Sequence, residues 1–541
     1  MDAQSFTAFL KDASAALDGL GGFGKEASSL REIVGFVNRP FNLAVVGRMK
    51  AGKSTLINGM IGQSLAISDV KEATATLNWI CHGSAAQATQ FVVEWKDGRS
   101  EPLPLTELKN WTGKSLEVLD RVGATRFLRL YSESKVLEEV QIVDTPGTGS
   151  AVEEHETARD FLRPDAISES IEAGGKADAI VYVLPPVGRE RDKETLEVFS
   201  SSRLPNSGPY NSVAVLHKWD HLELQESSGS ASPRSQAEEM AKKLQLQLGD
   251  LVARTVVVSG PLALAARSAP DSFFNGLTAV VRDQETDIVK ALRKDERWDA
   301  DETRRNLRKQ HQMPWSSFGI LVRMALHEQI TTGFTLRARC LDESGITELE
   351  AFLRERFFSQ QAIIKQCQLL GHADRVLDPA LRQIGALSRQ AKQESLLAER
   401  AQTLLARLDP CASAWCAEKA LNLARKADAL QFFAVDCDRK WQTLRSDIEH
   451  LQFDLRVGEE LDKRPDLFPA EDHELLRSMC NHLVNIKNRK TLGQAKMPSL
   501  QEVEKLINRY RSKENLARNR DRALLSHVVT RLEEVHSTLL Q

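Results

Sequence analysis

A chain of 541 residues is too long for one ordinary core, so on the order of three or four domains are expected. A net charge of -3 offers no general attraction to nucleic acid or anionic lipid; no DNA partner is expected, and any polyanion contact must be local. Seven cysteines, odd in number and without the paired short spacing of a zinc site, argue against a disulfide framework and for a reducing, cytoplasmic home.

The chain opens without the basic start and continuous apolar core of a secretory signal. Phe6, Phe9, Leu10, Ala13, Leu17 and Leu20 instead predict a helix over 2–20, and Leu30, Ile33, Val34 and Val37 a second over 27–38. Residues 41 to about 260 alternate β-rich runs with helical patterns. "FNLAVVG", "EVQIVDTPG", "ADAIVYVLPP", "SVAVLHKWD" and "RTVVVSG" are short apolar runs ending in turn or polar residues, as expected of a buried parallel sheet with crossover helices. Ligands bind such sheets at the carboxyl ends of the strands, so five strand ends are expected to share one site.

From about residue 261 the β signal gives way to helical periodicity. Val503, Ile507 and Tyr510, then Leu525, Val528, Leu532, Val535 and Leu539, recur at steps of three and four. Breaks at "LDPCAS", "DKRPDLFPAED" and "NRKTLGQAKMPS" predict long antiparallel helices joined by turns, a four-helix-like stalk. The fold class expected is therefore an α/β nucleotide-binding domain plus an all-α bundle. Its divisions are residues 1–39 (helices packing on the C-terminal bundle), 40–360 (nucleotide domain with a helical insert at about 261–342) and 361–541 (neck and stalk). No apolar run approaches the roughly 20 residues that span a bilayer, so the chain reads as soluble or peripheral.

The stretch "GRMKAGKST", residues 47–55, follows a predicted strand and precedes a predicted helix, the context of a phosphate-binding loop. Backbone N–H groups over Gly47, Lys50, Ala51, Gly52, Lys53, Ser54 and Thr55 are expected to cradle phosphates. Lys53 would reach the β- and γ-phosphates and Ser54 a magnesium ion. "IVDTPGTG" supplies Asp144 to orient the magnesium's shell and the Gly147 N–H for the γ-phosphate. In "LHKWD", Asp220 can accept from guanine N1 and N2 while the stem of Lys218 covers the base; adenine lacks those donors, so GTP is specified. His217 stands where Asn or Thr is usual. Ser259 and Gly260 are placed to meet guanine O6 through backbone N–H. Thr74, with Thr76 in reserve, is assigned to magnesium and the attacking water.

Together "VVGRMKAGKSTLINGMIG", "KEATATLNWICHG", "WKDGRSEPLPLTEL", "EVQIVDTPGTGS", "EHETARDFL" and "ADAIVYVLPP" resemble the GTPase domain of bacterial dynamin-like proteins over residues 40–260. "ESGITELEAFLRERF" is similar to the helix that closes that domain. The resemblance implies a magnesium-dependent GTPase that dimerises across its nucleotide face and drives a helical stalk, often at a membrane, with a second dynamin-like protein as a further candidate partner. Lys50 occupies the position that in relatives carries a cation-binding serine or an arginine finger. It is therefore assigned a catalytic charge in cis or, alternatively, a solvent-facing role. No hydrophobic paddle is evident from the sequence. Lys487, Arg489, Lys490 and Lys496 flank Leu492 and Met497 in a predicted turn at 487–498, readable as a solvated turn or as a contact to anionic headgroups at the inner face of a membrane. A GTP-regulated switch that binds RNA, the ribosome or a protein partner is the alternative reading.

Overall fold

The computed structural model describes residues 3–47, 50–66, 77–111, 116–145, 177–186, 211–222, 232–248, 251–283, 287–288, 291–292, 294–464, 466–476 and 499–540. Arg48, Thr74, Thr76, Gly147 and the basic turn at 487–498 lie outside the described residues. Two compact units are formed: Met1–Arg39 groups with Ala362–Gln541, and Pro40–Arg203 with Gly208–Gln361.

The second unit is built on nine strands: β1 (Phe41–Gly47), β2 (Asn78–His82), β3 (Gln90–Trp95), β4 (Ser100–Pro104), β5 (Thr125–Ser132), β6 (Val140–Asp144), β7 (Ala179–Leu184), β8 (Ser212–His217) and β9 (Thr255–Val258). Their order is β4-β3-β5-β2-β6-β1-β7-β8-β9. The five predicted strands are β1, β6, β7, β8 and β9, all mutually parallel, and every residue of β1, β7 and β8 is buried. Burial on both faces explains their unbroken apolar runs; each Val, Leu or Ile contributes about 1.5–3 kcal/mol by leaving water.

The other four strands were not among the predicted runs. β2 pairs antiparallel with β6, and β3 runs antiparallel to both β4 and β5, so half of the sheet is mixed. β5 alternates buried and half-buried residues, and β4 is an exposed edge that tolerates Pro102 and Pro104 because its outer side needs no ladder donors. "KDGR" makes the β3–β4 turn, with Gly98 at φ +87° and its N–H bonded to the Trp95 carbonyl at 3.1 Å.

Beyond β9, the described residues are helical or in turns. Helices Gly260–Ser268, Asp271–Asp283, Trp315–His327 and Gly333–Glu343 surround one apolar core that includes Phe273, Phe274, Trp298 and Phe318. Trp298 draws "ERWDADETRR" into that core, with Arg304 over its ring and its indole N–H donating to the Arg304 carbonyl at 3.0 Å.

The first unit is a long helical hairpin, Gln361–Leu405 and Pro410–Lys463, with Leu500–Leu516 and Asn519–Leu540. Asp409 caps the second arm, accepting from Ala412 N–H at 3.0 Å, and Pro410 fills the first helical position where no N–H is needed. Between the arms the seam is small: Ser388 and Ser395 hydroxyls donate to the Ala427 and Ala420 carbonyls, each at 2.8 Å. Helices α1 (Ala3–Leu20) and α2 (Gly24–Val37) belong to this unit, and Phe6 and Phe9 lie against Trp441 at 6.4 and 5.6 Å between ring centroids.

Candidate active site

Four strand ends converge around residues 50–55. β1 runs into the phosphate-binding loop and helix α3 (Lys53–Ile61). Lys50 is exposed, at φ +62°, an uncommon conformation for a residue with a side chain. Lys53 is buried and its Nζ donates to the Gly47 carbonyl at 3.2 Å, which folds the ammonium back across the loop mouth.

Ser54 and Asp144 form a pair. The Ser54 hydroxyl donates to Asp144 Oδ2 at 3.0 Å, whereas Asp144 Oδ1 is buried without a hydrogen-bond partner. Burial raises the Asp144 carboxyl to a pKa of about 6 against the opposing pull of Lys53 and the Ser54 hydroxyl. A buried carboxylate with one orphaned oxygen beside a serine hydroxyl suits an oxygen-seeking divalent cation. Magnesium with nucleotide fits this donor set. Thr145, not singled out in the sequence, fixes the end of β6 by donating its hydroxyl to the Val45 carbonyl at 2.9 Å.

At the end of β8, His217, Lys218 and Asp220 perform three different tasks. His217 is buried beneath the loop, and its Nε2 accepts from Gly260 N–H at 3.1 Å. A Cβ on Gly52, whose φ is +100°, would stand 2.4 Å from His217 Nδ1, so the imidazole and the loop backbone touch. The histidine therefore buttresses the loop from beneath. Burial pushes its pKa down to about 4, opposed by Asp220 and helped by Lys218 and His221, so the ring is neutral at pH 7. Lys218, at φ +63°, donates its ammonium to the Lys50 carbonyl at 2.7 Å. Burial, the largest influence on Lys218, lowers its pKa. Asp220 is buried, with Oδ2 accepting from Ser316 and Ser317 and Oδ1 without a hydrogen-bond partner.

The expected O6 donors need correction. Ser259 N–H donates to the Ser344 carbonyl at 2.8 Å and Gly260 N–H to His217, so both are committed elsewhere. What requires glycine at 260 is close packing: a Cβ there would lie 2.5 Å from the Thr55 carbonyl oxygen. The loop helix is also held from behind. Asn58 bonds Leu65 N–H, Ala66 N–H and the Ala66 carbonyl, and Arg267 reaches the Gly59 and Met60 carbonyls while pairing with Glu350 through two 2.7 Å bonds.

Residues 43–199 match the model of the dynamin family. This stretch is dynamin-like. As a dynamin-like domain it has curated relatives among bacterial proteins. Isoniazid-induced protein IniC of Mycobacterium tuberculosis is 28% identical over 259 residues, 47% of this chain and 49% of that protein. Dynamin-like protein 2 of Campylobacter jejuni is 25% identical over 136 residues, 25% of this chain and 21% of its own. The chain thus spans about half, or less, of the length of these relatives. A solved structure described as an oligomerised bacterial dynamin pair that senses and tethers membranes aligns with 99% of this chain and 87% of its own. Its identity is 14% and its TM-score 0.34. Among the described residues of this dynamin-like chain, no helix is long and apolar enough to cross a membrane.

Proposed function

We propose that this dynamin-like chain binds GTP with magnesium and hydrolyses it, that its nucleotide domains pair across the loop mouth in the GTP state, and that this pairing is coupled to movement of the helical unit. One observation carries the nucleotide reading: Lys53, Ser54, Asp144 and Asp220 reach the carboxyl ends of parallel strands, with the buried Asp144 Oδ1 and Asp220 Oδ1 each left without a hydrogen-bond partner. Those atoms suit a cation's shell and the guanine N1–H and N2–H respectively.

Ser54 and Thr74 would hold magnesium, with Asp144 orienting its shell, and the ion when bound would draw off phosphate charge. Lys53 holds the β- and γ-phosphates, and Gly147 N–H the γ-phosphate. Thr74 positions the attacking water, and no side-chain base is invoked. Lys50 brings a positive charge in cis toward the bridging oxygen. Its left-handed backbone, uncommon for a residue with a side chain, supports that assignment. Lys50→Ala is expected to lower kcat about tenfold or more, with GDP affinity little changed. A variant that turns over GTP at the parent rate ends the cis-charge reading.

Membrane contact is assigned to the hairpin turn of the helical unit. Leu404, Leu408 and Trp415 are 75%, 82% and 60% exposed, and Lys419 lies over the Trp415 ring at 5.0 Å. An apolar turn with an indole and a nearby ammonium suits the boundary between headgroups and acyl chains. In sequence this region was marked only by the break at "LDPCAS", and the exposure of its leucines comes from the fold. Leu404→Ser, Leu408→Ser and Trp415→Ser combined should abolish co-sedimentation with phosphatidylglycerol-containing liposomes. Parent protein that never sediments, or a triple variant that still does, contradicts the assignment.

A further inference from the structure

We infer that Ser317, on the helix Trp315–His327 of the inserted helical segment, is a positioning residue for guanine recognition through its hydrogen bond to Asp220. The inference rests on the GTP reading above and adds to it a role for a segment otherwise outside the nucleotide loops.

Asp220 follows β8 in the tight turn Trp219–His221, and both Trp219 and Asp220 are buried. A free aspartate in that turn could rotate about its last torsion and present either oxygen, or neither, to a base. Ser317 removes that freedom. Its side chain is fully buried and its hydroxyl donates to Asp220 Oδ2. Ser316 adds a longer bond to the same oxygen at 3.3 Å, and His221 Nε2 stands 3.9 Å from it. All of these contacts gather on Oδ2, and Oδ1 is the oxygen left for a ligand.

The donors come from the first turn of a thirteen-residue helix, which also presents its positive end to the carboxylate. The loop after β9 does not supply them: the Ser259 hydroxyl is buried without a partner and its N–H is bonded to Ser344. Discrimination built on hydrogen bonds is steep because a buried acceptor is costly to leave unmatched, and it is only as steep as the acceptor is fixed.

Binding of GDP, IDP and ADP by competition against a fluorescent GDP, in magnesium buffer, tests this. IDP lacks the N2 amine, and ADP lacks both guanine donors. The parent is expected to bind GDP more tightly than IDP and IDP more tightly than ADP. Ser317→Ala should narrow the GDP:IDP ratio about tenfold while leaving ADP affinity unchanged, and Ser317→Thr, which keeps the hydroxyl, should hold the parent ratio. Loss of affinity for all three nucleotides in equal measure, or an unchanged ratio in Ser317→Ala, would overturn the inference. If the alanine variant does not fold, Ser317→Cys keeps the volume with a weak donor, and an unchanged ratio there overturns it equally. A parent that fails to prefer GDP over ADP removes the guanine reading itself, a separate and recognisable failure.

Discussion

His217 sits against Gly52 and accepts from Gly260, so one imidazole joins the phosphate loop to the turn after β9. The same burial gives the chain a pH dependence with a definite sign. The ring titrates near 6.5 when free and near 4 when folded, so the unfolded chain takes up its proton first as the pH falls. The stability conferred by the neutral ring is therefore complete above about 6.5 and lost progressively down to about 4, on the order of 1 kcal/mol per pH unit. Asp220 favours the proton, whereas Lys218 and His221 oppose it. Urea denaturation of the parent between pH 7 and 5 should show a steeper loss than His217→Asn, which has no proton to gain. Parallel slopes for the two would remove His217 as the cause. His217 was visible in "LHKWD", but its contact with Gly52 was not, because the two positions come together only through the parallel strand order.

At the scale of elements, Gly345 shows how tightly the closing helix docks. It lies at φ +71°, and a Cβ would stand 2.1 Å from the Val257 carbonyl oxygen, an approach no side chain can make. Gly345→Ala should cost about 2 kcal/mol or more, read as a lower urea midpoint; a variant with the parent midpoint would contradict the docking. What was legible among the elements follows from burial. The parallel strands are covered on both faces and write continuous apolar runs, and the hairpin break declares itself through Asp409 and Pro410. β2 to β5 write a weaker signal, because β4 is an exposed edge and β3 and β5 carry polar residues among the apolar ones. The Asp97-Gly98 turn and the alternation of "TRFLRLYS" were the cues available. In the site, Lys53, Ser54, Asp144 and Asp220 were legible because phosphate and base chemistry fixes residue type and spacing. Asn58, Thr145, Arg267 and Ser317 were not, because they act on backbone or on other side chains across long stretches of chain.

For the whole molecule, the proposed chemistry and the proposed membrane contact fall on different stretches of chain. The nucleotide residues lie in the sheet unit, while the exposed leucines and Trp415 of the hairpin turn lie in the helical unit. Exposure of Leu404, Leu408 and Trp415 to water carries a solvation cost that a lipid contact would remove. In the proposed cycle, pairing of nucleotide domains would make hydrolysis a property of the dimer and not of the single chain. GTP hydrolysis measured against protein concentration tests this most directly, with Lys53→Ala as the inactive control. The account predicts that phosphate release per molecule rises with concentration and then saturates as dimers fill. No GTP turnover above the Lys53→Ala control would contradict the enzyme, and a rate per molecule independent of concentration would contradict the pairing.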